Sequence, residues 1–274
     1  MTTSDSVRRR CGVLGSPISH SLSPVLHRAA YKHLGLDWSY TAHEVREDEL
    51  SGFVAALDPS WRGLSLTMPL KRVALEVAAR ASDLAVQVGA ANTLVHEEDG
   101  SWSAHNTDVP GLTAAIQRRR PGVTKAACIW GGGATAASAV AAIGQLGAAE
   151  IHLHVRETRR AEAPLAVARR LGMPVVILGW QVAEQCAAAD VVVSAVPAGV
   201  ADPLAEPLAD TAAPHRLLFD VVYDPWPTPI AAAWEKQGGA VASGLDLLVH
   251  QAVGQLALMT GRDVPPSLLY AAIR

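Results

Sequence analysis

Cysteine is scarce in this chain, and what there is lacks pattern. Three occur in 274 residues, Cys11, Cys128 and Cys186. None has metal-ligand or disulfide spacing, and all lie in or beside apolar stretches, so they are expected to be buried, reduced thiols acting as small hydrophobes. No apolar run approaches the ~18 residues of a membrane span. Residues 1–10 are polar and basic with no apolar core behind them, unlike a secretory signal. A strong charge bias is missing too: the formal net charge is −3. Bulk electrostatics therefore offers nothing to nucleic acid or to a membrane surface. The short runs Arg8-Arg9-Arg10 and Arg118-Arg119-Arg120 read as solvated surface. No internal repeat or low-complexity linker is visible. A cytoplasmic protein, with no metal, fits these absences.

What is present is an alternation of strands and helices. Cys11–Leu14 reads as a strand ending at Gly15. Ser23-Pro24 opens a helix, with Ser23 as its cap and Pro24 in the first turn. Trp38–His43 is strand-like, Asp48–Leu57 helical, Leu64–Thr67 a strand and Val73–Ala79 helical. A further helix follows Ser82-Asp83. Asn92–His96 and Trp102–His105 flank Asp99-Gly100, a hairpin signal. Pro110–Arg119 connects to a second run, with strands near 127–130, 151–155, 174–178, 191–195, 217–222 and 240–242. Gly244–Met259 and Pro266–Ile273 are closing helices with no strand to pair with. The pattern predicts an α/β protein with mostly parallel sheets in two lobes. An α/β substrate lobe of residues 1–107 and 246–274 flanks a Rossmann-like, doubly wound lobe of residues 108–245.

Chemistry enters at Gly131-Gly132-Gly133-Ala134-Thr135-Ala136. This turn follows an apolar strand and opens an alanine-rich helix. Glycines there let a helix N-terminus approach a pyrophosphate. The next strand ends at Arg156, followed by Glu157, Thr158, Arg159 and Arg160. Guanidinium groups at this corner match a 2′-phosphate, which predicts NADP(H); an inward-turned Glu157 would make NAD competitive. In the first lobe, three serines at alternate positions before a helix, Ser19, Ser21 and Ser23, suit a carboxylate. Thr67-Met68-Pro69-Leu70-Lys71, Ala91-Asn92-Thr93 and His105-Asn106-Thr107-Asp108 stand at strand C-termini, where open α/β sheets bind ligands.

These segments, with Asp220-Val221-Val222-Tyr223-Asp224-Pro225 and Gly244-Leu245-Asp246-Leu247-Leu248-Val249-His250-Gln251-Ala252, resemble the shikimate dehydrogenase family nearly end to end. The resemblance implies reversible NADPH-dependent reduction of 3-dehydroshikimate to shikimate, in aromatic amino acid biosynthesis. It implies that Ser21 and Ser23 hold the substrate carboxylate and that Lys71, Asn92, Asp108 and Gln251 reach the ring hydroxyls. Thr67 and Tyr223 complete the pocket, with Lys71 and Asp108 catalytic. For the cofactor it implies Gly131, Gly132, Gly133, Ala134, Thr135, Arg156, Arg160, Ala195, Val196, Val221, Gly244 and Leu247. Ser65 stands where many relatives carry Asn, which implies a weakened carboxylate contact or room for a water. A quinate or aminoshikimate dehydrogenase using NAD, and a catalytically silent shikimate sensor, are the rival readings. Monomer and homodimer both stay open.

Overall fold

The structure is a computed structural model that describes residues 8–181 and 183–273. The N-terminal residues 1–7, considered above for a targeting signal, lie outside the described residues. The chain divides into two compact units: Met1–Thr107 with Gln251–Arg274, and Asp108–His250.

The first unit starts with β1 (Arg10–Gly15), buried at every position after Arg10, as a strand covered on both faces must be. Next is α1 (Ser23–Leu34). It buries Ser23, Leu26, His27, Ala30 and Tyr31, a three- and four-residue spacing that makes one helix face. Gly35, at φ +66°, ends it in the left-handed conformation. The cap differs from the sequence expectation. Leu22 holds that position without a side-chain bond, and Ser23 is already helical. The chain turns earlier because Ser21 donates its N–H to the Ile18 carbonyl.

There follow β2 (Ser39–Glu44), α2 (Leu50–Ala55), β3 (Trp61–Leu66), α3 (Ala74–Val77), β4 (Arg80–Ala81), α4 (Asp83–Val88), β5 (Thr93–His96) and β6 (Trp102–His105). The helix expected over 48–57 is instead a 3-10 turn, Glu47–Glu49, running into α2. The Glu49 carboxylate accepts the Arg46 N–H at 2.8 Å, which fixes the tight turn. Strand order is β2-β1-β3-β5-β6-β4. The sheet is mixed: β1–β2, β1–β3 and β4–β6 are parallel, while β3–β5 and β5–β6 are antiparallel. The Asp99-Gly100 turn, with Gly100 at φ +82°, makes that hairpin direction unavoidable. Leu14, Trp61, Leu64, Leu66, Leu70 and Leu94 centre its core.

The second unit comprises α5 (Asp108–Arg119), β7 (Ala126–Trp130), α6 (Ala134–Gln145), β8 (Glu150–His154), α7 (Glu162–Leu171), β9 (Val175–Leu178), β10 (Val191–Ser194), α8 (Ala205–Ala209), β11 (Leu217–Asp220), α9 (Pro229–Lys236), β12 (Ala240–Ala242) and the start of α10 (Gly244–Thr260). The boundary falls inside α10, between His250 and Gln251; α11 (Pro266–Ala272) closes the first unit. The second sheet is wholly parallel, in the order β12-β11-β10-β7-β8-β9. Strand order reverses at β7, which puts the switch point between β7 and β10. Val191-Val192-Val193-Ser194 and Leu217-Leu218-Phe219-Asp220 are buried throughout, as central parallel strands are.

Two expectations are corrected here. Cys128 and Cys186, 58 residues apart, form a disulfide, and only Cys11 is a free thiol. Spacing could not show this, because β7 and the segment before β10 meet only through the sheet order. The second arginine run is also more than solvated surface: Arg119 pairs with Asp246 at 3.3 Å and Arg120 with Asp190 at 2.7 Å. Among the described residues no helix is long and apolar enough to cross a membrane.

Candidate functional site

In the first unit, the C-terminal ends of β3 and β6 and the entry to β5 gather a buried amide cluster. Asn92 is 1 % exposed. Its Nδ2 donates to Thr107 Oγ1 at 2.9 Å and to Gln251 Oε1 at 3.2 Å, and its Oδ1 accepts the Thr107 N–H at 2.8 Å. Behind it, Gln255 donates from Nε2 to the Asn92 carbonyl at 3.0 Å and to Thr93 Oγ1 at 3.2 Å. Ser65 Oγ donates to Gln255 Oε1 at 2.8 Å and accepts from the Tyr40 hydroxyl at 2.6 Å. The Ser65 hydroxyl is thus committed inward, where it anchors Gln255. Burial raises the Tyr40 phenol far above its ordinary range, so it stays a donor.

Tyr40 stacks on His27 at 4.1 Å, and His27 Nδ1–H donates to the Ser23 carbonyl at 3.0 Å. Burial pushes the His27 imidazole down to about 4, so it is neutral at pH 7. Ser21 Oγ accepts the Ser23 N–H at 3.3 Å, which draws the two predicted carboxylate hydroxyls onto one turn. Thr67 is fixed by its N–H to the Leu14 carbonyl at 2.9 Å, and the Lys71 carbonyl accepts the Ala91 N–H at 2.7 Å. Lys71 therefore sits in the turn after β3, tied by backbone to the Asn92 strand. Asp108, buried at 3 % exposure, is the first residue of α5 and belongs to the second unit.

In the second unit the glycine turn lies at the switch point. Gly131, at φ +128°, donates its N–H to the His154 carbonyl at 3.1 Å, and a Cβ there would meet the Ala195 carbonyl oxygen at 2.5 Å. A Cβ on Gly132 would overlap the Arg160 carbonyl oxygen. At Gly133, by contrast, a Cβ would meet nothing within 4 Å, and no side chain caps α6, which Ala134 and Thr135 begin. That leaves open space at Gly133 before a row of helix N–H groups. Ala195 N–H reaches the Trp130 carbonyl at 2.8 Å, Val221 N–H the Ser194 carbonyl at 3.0 Å, and Gly244 N–H the Val222 carbonyl at 3.0 Å. These bonds line up the C-terminal ends of β7, β10 and β11. Val196 and Leu247 are each 9 % exposed beside them. Tyr223 follows β11, and burial raises its phenol.

At the end of β8, the Arg156 guanidinium carbon lies 5.5 Å from the Trp180 ring centroid. Glu157 is engaged by Arg159 at 2.6 Å and lies 3.7 Å from Arg160. Two guanidinium groups thus engage one carboxylate, and with Arg156 beside Trp180 the corner keeps a net positive charge. The glycine cradle and uncapped helix fit a pyrophosphate, and Arg156 with Arg160 fits a 2′-phosphate.

Sequence reasoning missed Tyr40, Gln255 and Trp180. Gln255 had a readable signal, four residues after Gln251 on the same helix face. Trp180 had none, since it reaches Arg156 only across the β8–β9 edge.

Residues 13–94 match the model of the shikimate dehydrogenase substrate binding domain, and residues 244–274 that of the shikimate 5′-dehydrogenase C-terminal domain. The chain is 38 % identical to the shikimate dehydrogenase (NADP(+)) of Caulobacter vibrioides, over 94 % of this chain and 91 % of that one. The crystal structure of Mycobacterium tuberculosis shikimate dehydrogenase superposes with TM-score 0.88 at 40 % identity, covering 97 % and 98 % of the two chains. Shikimate 5-dehydrogenase from Thermus thermophilus, in complex with NADP(H) and shikimate, superposes with TM-score 0.85 at 32 % identity, covering 96 % and 98 %.

Proposed function

The chain belongs to the shikimate dehydrogenase family, and from that premise we propose that it reduces 3-dehydroshikimate reversibly to shikimate with NADPH. The observation that carries the substrate assignment is the Asn92–Thr107–Gln251 cluster. It is a buried set of neutral donors and acceptors, built for hydroxyl groups rather than for charge.

Reduction of a ketone adds a hydride to carbon and a proton to oxygen. Bound NADP(H) supplies or takes up the hydride. The protein's residues do the rest. Ser21 and Ser23 donate hydroxyl hydrogen bonds to the ring carboxylate and so fix which carbon faces the cofactor. Asn92 and Gln251 bond the ring hydroxyls, with Thr67 and Tyr223 along the pocket wall. Lys71 holds a proton on Nζ and delivers it to the carbonyl oxygen; in oxidation it takes that proton back. Asp108 supplies the carboxylate that orients the ammonium and bonds the neighbouring hydroxyl. Arg156 and Arg160 select NADP(H) by its extra phosphate, while Gly131, Gly132 and Gly133 admit the pyrophosphate.

The test is nicotinamide absorbance on mixing the protein with shikimate and NADP+, repeated with NAD+ and with quinate. Rapid formation of NADPH from shikimate is the expected result. Binding of shikimate with no cofactor reduction would leave the sensor reading instead.

A further inference from the structure

Cys128, His154 and Cys186 play no part in the chemistry above, yet they form a compact donor set. All three are fully buried, and their ligand atoms lie within 4.8 Å of one another. Cys128 is in the middle of β7, His154 ends β8, and Cys186 ends a 3-10 turn, Ala183–Cys186, before β10. Three separate elements thus converge on one point.

The imidazole is oriented for ligation. His154 Nδ1 lies 3.1 Å from the Gly179 carbonyl oxygen, which can only accept, so the ring proton sits on Nδ1. Nε2 then carries its lone pair, and it faces Cys186 Sγ at 3.3 Å. A backbone carbonyl fixing the tautomer of the far nitrogen is the outer-shell arrangement of metal-ligating histidines. The Trp130 ring stacks on His154 at 3.8 Å with planes 8° apart, so the imidazole cannot tilt freely.

The donor set also selects its ion. Two soft thiolates and a borderline imidazole suit copper(I) or zinc. Structural zinc takes four ligands, and among the described residues no fourth Cys, His, Asp or Glu joins this group. Charge points the same way. Two thiolates with a monovalent ion carry one net negative charge. Buried Arg216 donates to the Cys186 and Ala189 carbonyls and brings one positive charge to the same segment.

We propose that Cys128, Cys186 and His154 form a binding site for one copper(I) ion, open when the Cys128–Cys186 disulfide is reduced and closed when it forms. Opening takes two electrons and two protons from a dithiol, which leaves as its own disulfide, or two electrons from a phosphine with one water, which supplies both protons and the oxygen of the phosphine oxide. Binding then forms two copper–sulfur bonds and releases both thiol protons. Nε2 adds its lone pair with no proton change.

The experiment uses the full chain, reduced with a phosphine and freed of reductant without oxygen, then titrated with the copper(I)–bicinchoninate complex. The reduced chain withdraws one copper per molecule, and X-ray absorption shows two sulfurs and one nitrogen around it. The oxidised chain, its disulfide checked by thiol counting, withdraws none. His154→Phe, which keeps the stack on Trp130, weakens binding by at least the ~10- to 100-fold that an outer-shell change costs. Uptake by oxidised and reduced chains alike would overturn the proposal. So would no uptake by the reduced chain, or undiminished uptake by the Cys128→Ser/Cys186→Ser double variant, which would place the metal at Cys11. The comparison of oxidised with reduced wild type needs no variant to fold.

Discussion

Ser65 and Gln255 are 190 residues apart in sequence, and the serine hydroxyl donates to the glutamine carbonyl oxygen at 2.8 Å. Gln255 in turn holds the Asn92 carbonyl, so the strand that presents the Asn92 amide is braced from α10. Gln255→Leu leaves the Ser65 hydroxyl without its acceptor, at about 1–3 kcal/mol for a buried group left unsatisfied, and takes one bond from the Asn92 carbonyl, which keeps the Leu66 N–H. Urea unfolding should show that loss, and the KM for shikimate should rise more than kcat falls. An unchanged KM would place Gln255 outside the positioning of Asn92.

Lys71→Ala removes the proposed proton carrier. Positioned proton transfer contributes roughly 10²- to 10⁴-fold, so kcat should fall by that order with a smaller change in KM. Steady-state rates in both directions measure it. Normal turnover in this variant would remove Lys71 from the mechanism.

Arg156→Ala should raise the KM for NADP+ by about 10- to 100-fold, the worth of one charge-assisted hydrogen bond of about 1.5–3 kcal/mol. The KM for NAD+, which lacks the 2′-phosphate, should hardly move. Parallel loss with both cofactors would mean that Arg156 supports the fold of the corner rather than the phosphate.

Gly132 and Gly133 are adjacent but should respond oppositely. Gly132→Ala drives a methyl group into the Arg160 carbonyl and should lower Tm as well as cofactor affinity. Gly133→Ala meets no protein atom within 4 Å, so Tm should hold while NADP+ binding weakens. Thermal melts paired with cofactor titration separate the two.

Burial pushes both His27 and His154 down to about 4, against about 6.5 in an unfolded chain. Between those values the unfolded state holds more protons than the folded one. Stability therefore declines as pH falls through 6.5 and continues to decline towards 4. Each histidine contributes a slope of up to about 1.4 kcal/mol per pH unit. Urea midpoints between pH 6.5 and 5, before most carboxylates titrate, should show this trend, and His27→Phe should remove one share of it. A flat wild-type profile would contradict the assignment.

The parallel sheet of the second unit was legible because its strands are apolar runs punctuated by glycine and by helices of 3.6-residue period. In the first sheet the strands and the antiparallel β5–β6 hairpin at Asp99-Gly100 were legible, but the antiparallel β3–β5 pairing was not, since period-2 patterning carries no direction. The two-residue strand β4 (Arg80–Ala81) has too few side chains to show any pattern. At the candidate site, motifs at strand ends could be read locally: Asn92, Thr107 and the three glycines all sit within short, recognisable segments. Gln255 could be read from its place one turn after Gln251, but Tyr40 and Trp180 were not legible, because each works through a partner that only the folded sheet brings near. The disulfide was hidden for the same reason. Two cysteines on neighbouring elements look, in sequence, like any two buried apolar positions.

The brace from Ser65 to Gln255 also fixes an order of assembly during synthesis. As the chain leaves the ribosome, β1 to β6 emerge early, but Gln251 and Gln255 come only after the whole Asp108–His250 unit. That later unit is continuous and can complete itself first, against the usual N-to-C sequence of domain folding. Until the second half of α10 emerges, the first sheet must wait with Asn92 and Ser65 unbraced. A nascent chain that has exposed residue 250 but not residue 251 should therefore protect Cys128 from alkylation sooner than it protects Cys11.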